Sequence, residues 1–256
     1  TRCARVTGVQ TCALPISNNN AHGTVLYCVN EGNISSRATY AAGVVAENYA
    51  QVQKSNNEGD VNNAGSYTGG IVGMNFADSA IYVLDSLTNS GNITSDADFS
   101  QVGGIAGYST RCRIMNSKNT GHIKGKYSVG GIVGEGPSSA WGVSTNLENT
   151  GDVEVISAYG REEGTAGGIA GSFEDRLEYA RNSGTVTGTG YRTFVGGITG
   201  LMGFMSSAYY LENEGSVSCS VSGECDIGGI AGYNSFESFM IHSKNSGTVN
   251  ARAVYQ

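Results

Sequence analysis

Gly103-Gly104-Ile105-Ala106-Gly107 and, further on, Asn119-Thr120-Gly121-His122-Ile123 form one copy of a pair of boxes that recurs along the whole chain. The Asn box, Asn-x-Gly-x-Val/Ile, starts at Asn57, Asn89, Asn119, Asn149, Asn182 and Asn213, with versions at Asn30 and Asn245. The Gly box reads Gly69-Gly70-Ile71-Val72-Gly73 and restarts at Gly103, Gly130, Gly167, Gly196 and Gly228; Ala42-Gly43-Val44-Val45-Ala46 is a degenerate first copy. Seven steps from Asn30 to Asn245 give a mean period of about 31 residues, in the range of stacked-repeat architectures.

The spacing inside the boxes is that of a strand. Apolar and polar residues alternate, as in His122-Ile123-Lys124 and Asp152-Val153-Glu154. The Val/Ile of the Asn box and the Ile of the Gly box are expected to point inward. A third apolar stretch, such as Arg113-Ile114-Met115, precedes each Asn. The expectation is an all-β fold, a single-stranded parallel β-helix (β-solenoid) of about eight coils of ~31 residues. The hand of parallel crossovers favours a right-handed one. Stacking places Asn30, Asn57, Asn89, Asn119, Asn149, Asn182, Asn213 and Asn245 in register, so that their amides can form a structural ladder. Asn-x-Gly also reads as a turn, with Gly supplying a positive φ.

On these boxes the chain resembles the GLUG-motif repeat family, over roughly residues 30–249. The resemblance implies a β-solenoid region of an exported, adhesin-like bacterial surface protein. It implies no catalytic residues. Similar repeats serve as stalks beside peptidase or other catalytic domains.

Residues 1–17 resemble translated sequencing-adapter sequence, a scar of metagenomic assembly, and are set apart as artefact. Residues 18–256 are read as a single β-solenoid repeat domain, truncated at both ends. The net charge is −7, and −9 once Arg2 and Arg5 are set aside, a poor balance for binding nucleic acid. No apolar run approaches the ~18 residues of a membrane helix, so membrane insertion is not expected. Cys3 and Cys12 fall in the suspected scar; Cys28 occupies a slot held elsewhere by Leu87, Leu147 and Leu211, and reads as core. Cys112 is isolated, and Cys219 and Cys225 are either a loop-closing disulfide or two free thiols.

His22, His122 and His242 are scattered, and no metalloprotease, P-loop, nucleophile-elbow or calcium-repeat motif occurs. No catalytic residue, cofactor or metal ligand is assigned, and an enzyme is not expected. The outward column through Asn33, Asp60, Asn92, His122 and Asp152 reads as a solvated polar face. Tyr40, Tyr67, Phe99, Tyr127 and Tyr191 precede Gly boxes and form a candidate glycan-contact stripe. Two longer stretches, near 157–165 and 172–181, carry Glu162, Glu163, Glu174, Asp175 and Glu178 and read as projecting loops. The functional expectation is a non-catalytic structural or adhesive repeat region at the cell surface or outside the cell. The alternatives are a polysaccharide-binding or polysaccharide-cleaving β-helix, or the stalk of a surface peptidase. Expected partners are host or cell-wall glycans or surface proteins.

Overall fold

The structure, a computed structural model, describes residues 10–11, 16–20, 22–77, 82–157 and 163–253. These residues form strands and turns with no α-helix, wound as a β-solenoid of about seven turns. Every strand pairing among them is parallel and joins one coil to the next. Eight Asn boxes bound seven turns, which is why the count is one below the number of boxes.

Each coil contributes to three sheets. The Val/Ile of the Asn box opens a strand of a nine-stranded sheet, as in Val61–Asn63 and Ile93–Ser95. The first Gly of the Gly box closes a strand of a seven-stranded sheet, as in Tyr67–Gly69 and Gln101–Gly103. The rest of the coil belongs to a large sheet that runs back to the next Asn box. The stretch 172–181, expected as a projecting loop, lies within the strand Ala170–Asn182, paired on both sides. Glu162 lies outside the described residues. Of the suspected adapter run, Gln10–Thr11 pairs with Ile34 and Ser35, and Ile16 opens the strand Ile16–Asn19, which pairs along Val45–Asn48. Cys3 and Cys12 lie outside the described residues.

The inward residues build two cores. Ile71, Ile105, Ile132, Ile169 and Ile198 of the Gly boxes stack fully buried beneath the large sheet, with Ile230 partly buried in the last coil. Ile34, Val61, Ile93, Ile123, Val153, Val186 and Val217 of the Asn boxes fill a second core between the other two sheets. The alternation read from the sequence therefore serves two separate apolar columns.

The Asn residues bind along the axis. Nδ2 of Asn30, Asn57, Asn89 and Asn119 each donates to Oδ1 of the next ladder Asn at 2.7 Å. Asn149, Asn182 and Asn213 continue the run to Asn245 at 2.7–2.9 Å. Each Nδ2 also donates to the carbonyl of the Gly two residues on, as Asn119 does to Gly121 at 2.8 Å. Buried amides are thereby satisfied without water.

Positive φ is not the reason for the glycine of the Asn box. Its backbone keeps an ordinary φ, but a Cβ on Gly121 would stand 1.9 Å from the carbonyl oxygen of Gly91 in the coil before. Stacked turns approach too closely there for any side chain. The left-handed conformation instead falls three residues before each ladder Asn: Tyr27, Lys54, Ser86, Asn116, Asn146, Tyr179, Tyr210 and His242 have φ between 48° and 56°.

Candidate functional site

The Gly box folds the large sheet back against the seven-stranded sheet. A Cβ on Gly134 would meet Val102 N at 2.5 Å, and one on Gly171 would meet Val129 N and Ser128 Oγ at the same distance. The two sheets are thus pressed together at the last Gly of each box. Beyond that point their side chains face across a cleft that follows the solenoid axis.

Two in-register columns line this cleft. The residue after each Gly box gives Met74, Tyr108, Glu135, Ser172, Leu201 and Tyr233 in successive coils. The seven-stranded sheet gives Tyr67, Gln101, Ser128, Thr165 and Phe194. In the early coils rings fill the space: Tyr67 packs edge-on to Tyr108 at 5.6 Å and against Tyr40 at 5.4 Å. In the late coils Phe194 stacks on Tyr233 at 5.1 Å. Between these two plugs one column holds Glu135, Ser172 and Leu201 and the other Gln101, Ser128 and Thr165, and a cavity of about 540 Å³ opens over the short side chains of Ser128, Thr165 and Ser172. That volume is within the ~300–1,000 Å³ range of small-ligand sites.

Tyr127 and Tyr191 form the walls on the seven-stranded side, and Glu135 and Glu174 lie on the opposite side. Burial raises the Glu135 carboxyl above the usual carboxylate range; the hydrogen bond from Gln101 Nε2 at 3.2 Å offsets part of this, and the charge of Glu174 raises it further. Arg192 enters the cavity already paired with Glu163 and with Glu224, whose carboxylate lies 2.8 Å from its Nε. On the floor, the Ser128 hydroxyl donates to Gly134 O at 2.7 Å and lies 2.9 Å from the Thr165 hydroxyl.

The aromatic stripe read from the sequence divides. Tyr40 and Tyr67 share a register position and plug the early coils. The register partner of Tyr67 in the next coil is Gln101, so Phe99 falls at the preceding corner, against Tyr127 at 6.1 Å. Tyr127 and Tyr191 alone of the five line the cavity. The sequence reading passed over Glu135. The available signal was the residue after the Gly box, which changes from Met74 and Tyr108 to Glu135 and Ser172.

Other candidate groups are accounted for structurally. In the outward column, Asn33 Oδ1 accepts from Asp60 N, Asp60 Oδ1 from Asn92 N, and Asp152 Oδ1 from Thr185 N, at 2.8–2.9 Å. His122 Nε2 faces Glu154 at 3.8 Å. Tyr179, Tyr210 and His242 stack face to face at 4.9 and 5.1 Å, so both faces of Tyr210 are covered by its neighbours. Cys219 and Cys225 are disulfide-bonded, Cys28 is buried in the core and is not a free thiol, and Cys112 is a buried free thiol. Among the described residues no group of three or more His, Cys, Asp or Glu is gathered as a metal site.

Residues 100–124, from Ser100 through one Gly box to the end of the following Asn box, match the GLUG motif family. No curated protein and no solved structure matches the chain.

Proposed function

We propose that this GLUG-bearing β-solenoid is a non-catalytic, adhesive repeat region of an exported bacterial surface protein. The observation that carries the reading is the unbroken Asn ladder, with an amide hydrogen bond at each of its seven steps from Asn30 to Asn245. Such a ladder ties every coil to the next and suits a stiff spacer that holds a contact surface away from its anchor. Host or cell-wall glycans are the proposed partners, since the open cleft is walled by Tyr127 and Tyr191.

Beads coated with the chain test the reading on immobilised host and cell-wall glycans, with reducing-end release followed in the same wells. Retention without release is expected. Release of reducing ends that disappears in His122→Ala or Asp152→Ala would favour the polysaccharide-cleaving alternative. Absence of retention on every glycan would remove the adhesive role and leave a spacer.

A further inference from the structure

At the cleft beside Glu135 the repeat stops filling its own groove. Among the described residues the same corner recurs from coil to coil, and here small residues stand between two ring plugs, Tyr67–Tyr108 before and Phe194–Tyr233 after. A ligand seated between them is bounded along the axis, so the site suits a short segment rather than a continuous chain.

Charge decides what kind of segment fits. Glu135 and Glu174 share one side of the cavity, and among the described residues that line it the cation, Arg192, is already held by Glu163 and Glu224. A uronate or sialic acid would meet repulsion. An ammonium group would relieve the repulsion between the two carboxylates and would also lie beside the Tyr faces, where cations are attracted to the ring quadrupole. The ring of a sugar offers apolar C–H faces to the same tyrosines.

We propose that this cleft is a binding site for an amino sugar with a free, protonated amine, taking one or two rings of a glucosamine-type glycan between Tyr127, Tyr191, Glu135 and Glu174. The inference rests on the adhesive reading above and narrows its partner. Glu174 is exposed and Tyr127 half-buried, so changes at either leave the two cores untouched.

Calorimetric titration of the whole chain with four probes tests the assignment: glucosamine disaccharide, cellobiose, digalacturonate and tetralysine. The glucosamine disaccharide is expected to bind, cellobiose at least tenfold more weakly, and digalacturonate not at all. Glu174→Gln and Tyr127→Ala are each expected to weaken the disaccharide at least tenfold while the urea midpoint stays in place. Cellobiose binding equally well would overturn the role of the carboxylates. Tetralysine binding as tightly would make the cleft a cation site for peptides, not sugars. Bead retention that survives both substitutions would keep the adhesive reading and sink this one, whereas a parent chain that is retained on no glycan would sink the adhesive reading itself.

Discussion

Gly131 lies flat against the side-chain amide of Asn149: a methyl group on it would stand 2.4 Å from Asn149 Cγ and 2.1 Å from Gly168 O. The same contact joins Gly104 to Asn119, Gly168 to Asn182 and Gly197 to Asn213. The two sequence boxes are therefore the two sides of one contact inside each coil. Gly131→Ala should destabilise by about 3 kcal/mol, because backbone in the next coil blocks relief of the clash. Gly125→Ala is the contrast, since its nearest neighbours are the methyl of Val102 and the Ser100 hydroxyl, both side-chain atoms. Urea midpoints for the two variants check the difference. Equal, small losses would show that the boxes do not press on each other.

The Asn119 side chain makes four hydrogen bonds: it accepts from Asn89 at 2.7 Å and Gly121 N at 3.3 Å, and donates to Asn149 at 2.7 Å and Gly121 O at 2.8 Å. Asn119→Ala strands these buried partners and should cost about 3 kcal/mol. Asn119→Asp should cost more near neutral pH, because a buried carboxylate cannot donate to Asn149 or Gly121. Burial raises the folded pKa of that Asp above its unfolded value. The variant is then favoured below the unfolded pKa and loses stability as pH rises through the folded one. Urea unfolding at acid and neutral pH reads this directly. An Asp variant with no pH dependence relative to the parent chain would mean that position 119 is solvated.

The scaffold was legible where each coil demands the same residue. Asn at the ladder and Gly beside it have no substitutes, so they repeat in the sequence and give the period. The mechanism of the Asn-box Gly was not legible, since close approach to Gly91 and a positive φ select the same residue at Gly121. The left-handed column escaped notice because its occupants run Tyr27, Lys54, Ser86, Asn116 and onward, with no shared identity. A second ladder, from Asn19 through Asn48 and Asn75 to the Ser109 hydroxyl, stops after a few coils and left no period to find. Later coils place Phe173 and Met202 in core positions along the same strands. The cleft is legible only as a departure from the repeat, and a search for recurrence passes over departures.

Ser86 sits in the left-handed column with φ 56°, half-buried, its N–H donating to Met115 O at 3.1 Å. A non-glycine residue in that conformation gives up about 1–2 kcal/mol, part of which glycine recovers after its own entropy cost. Ser86→Gly should therefore stabilise the chain by about 0.5–1 kcal/mol. Ser86→Val should destabilise it, since a β-branched side chain is worst at positive φ. Thermal or urea midpoints give both signs. A glycine variant less stable than the parent would mean that the Ser86 side chain contributes more than its backbone strain removes.

Cys112 is buried in the main core, and burial pushes its thiol from 9.0 up to about 11. The folded chain then holds a proton that the unfolded chain has released over this interval. A raised folded pKa gives stability that is fully present below the unfolded value and is lost as pH rises through the folded one. At about 1.4 kcal/mol for each pH unit, roughly 2–3 kcal/mol should disappear between pH 9 and pH 11. Tyrosines also titrate in this range, so the measurement is the difference between the parent chain and Cys112→Ala at each pH. That difference should be flat below pH 8 and should shift in favour of the alanine variant above pH 9. Iodoacetamide should label Cys112 only as fast as the coil opens. Prompt labelling of the native chain at pH 8, or a difference that stays flat to pH 11, would mean that the thiol is reachable by water and not held in the core.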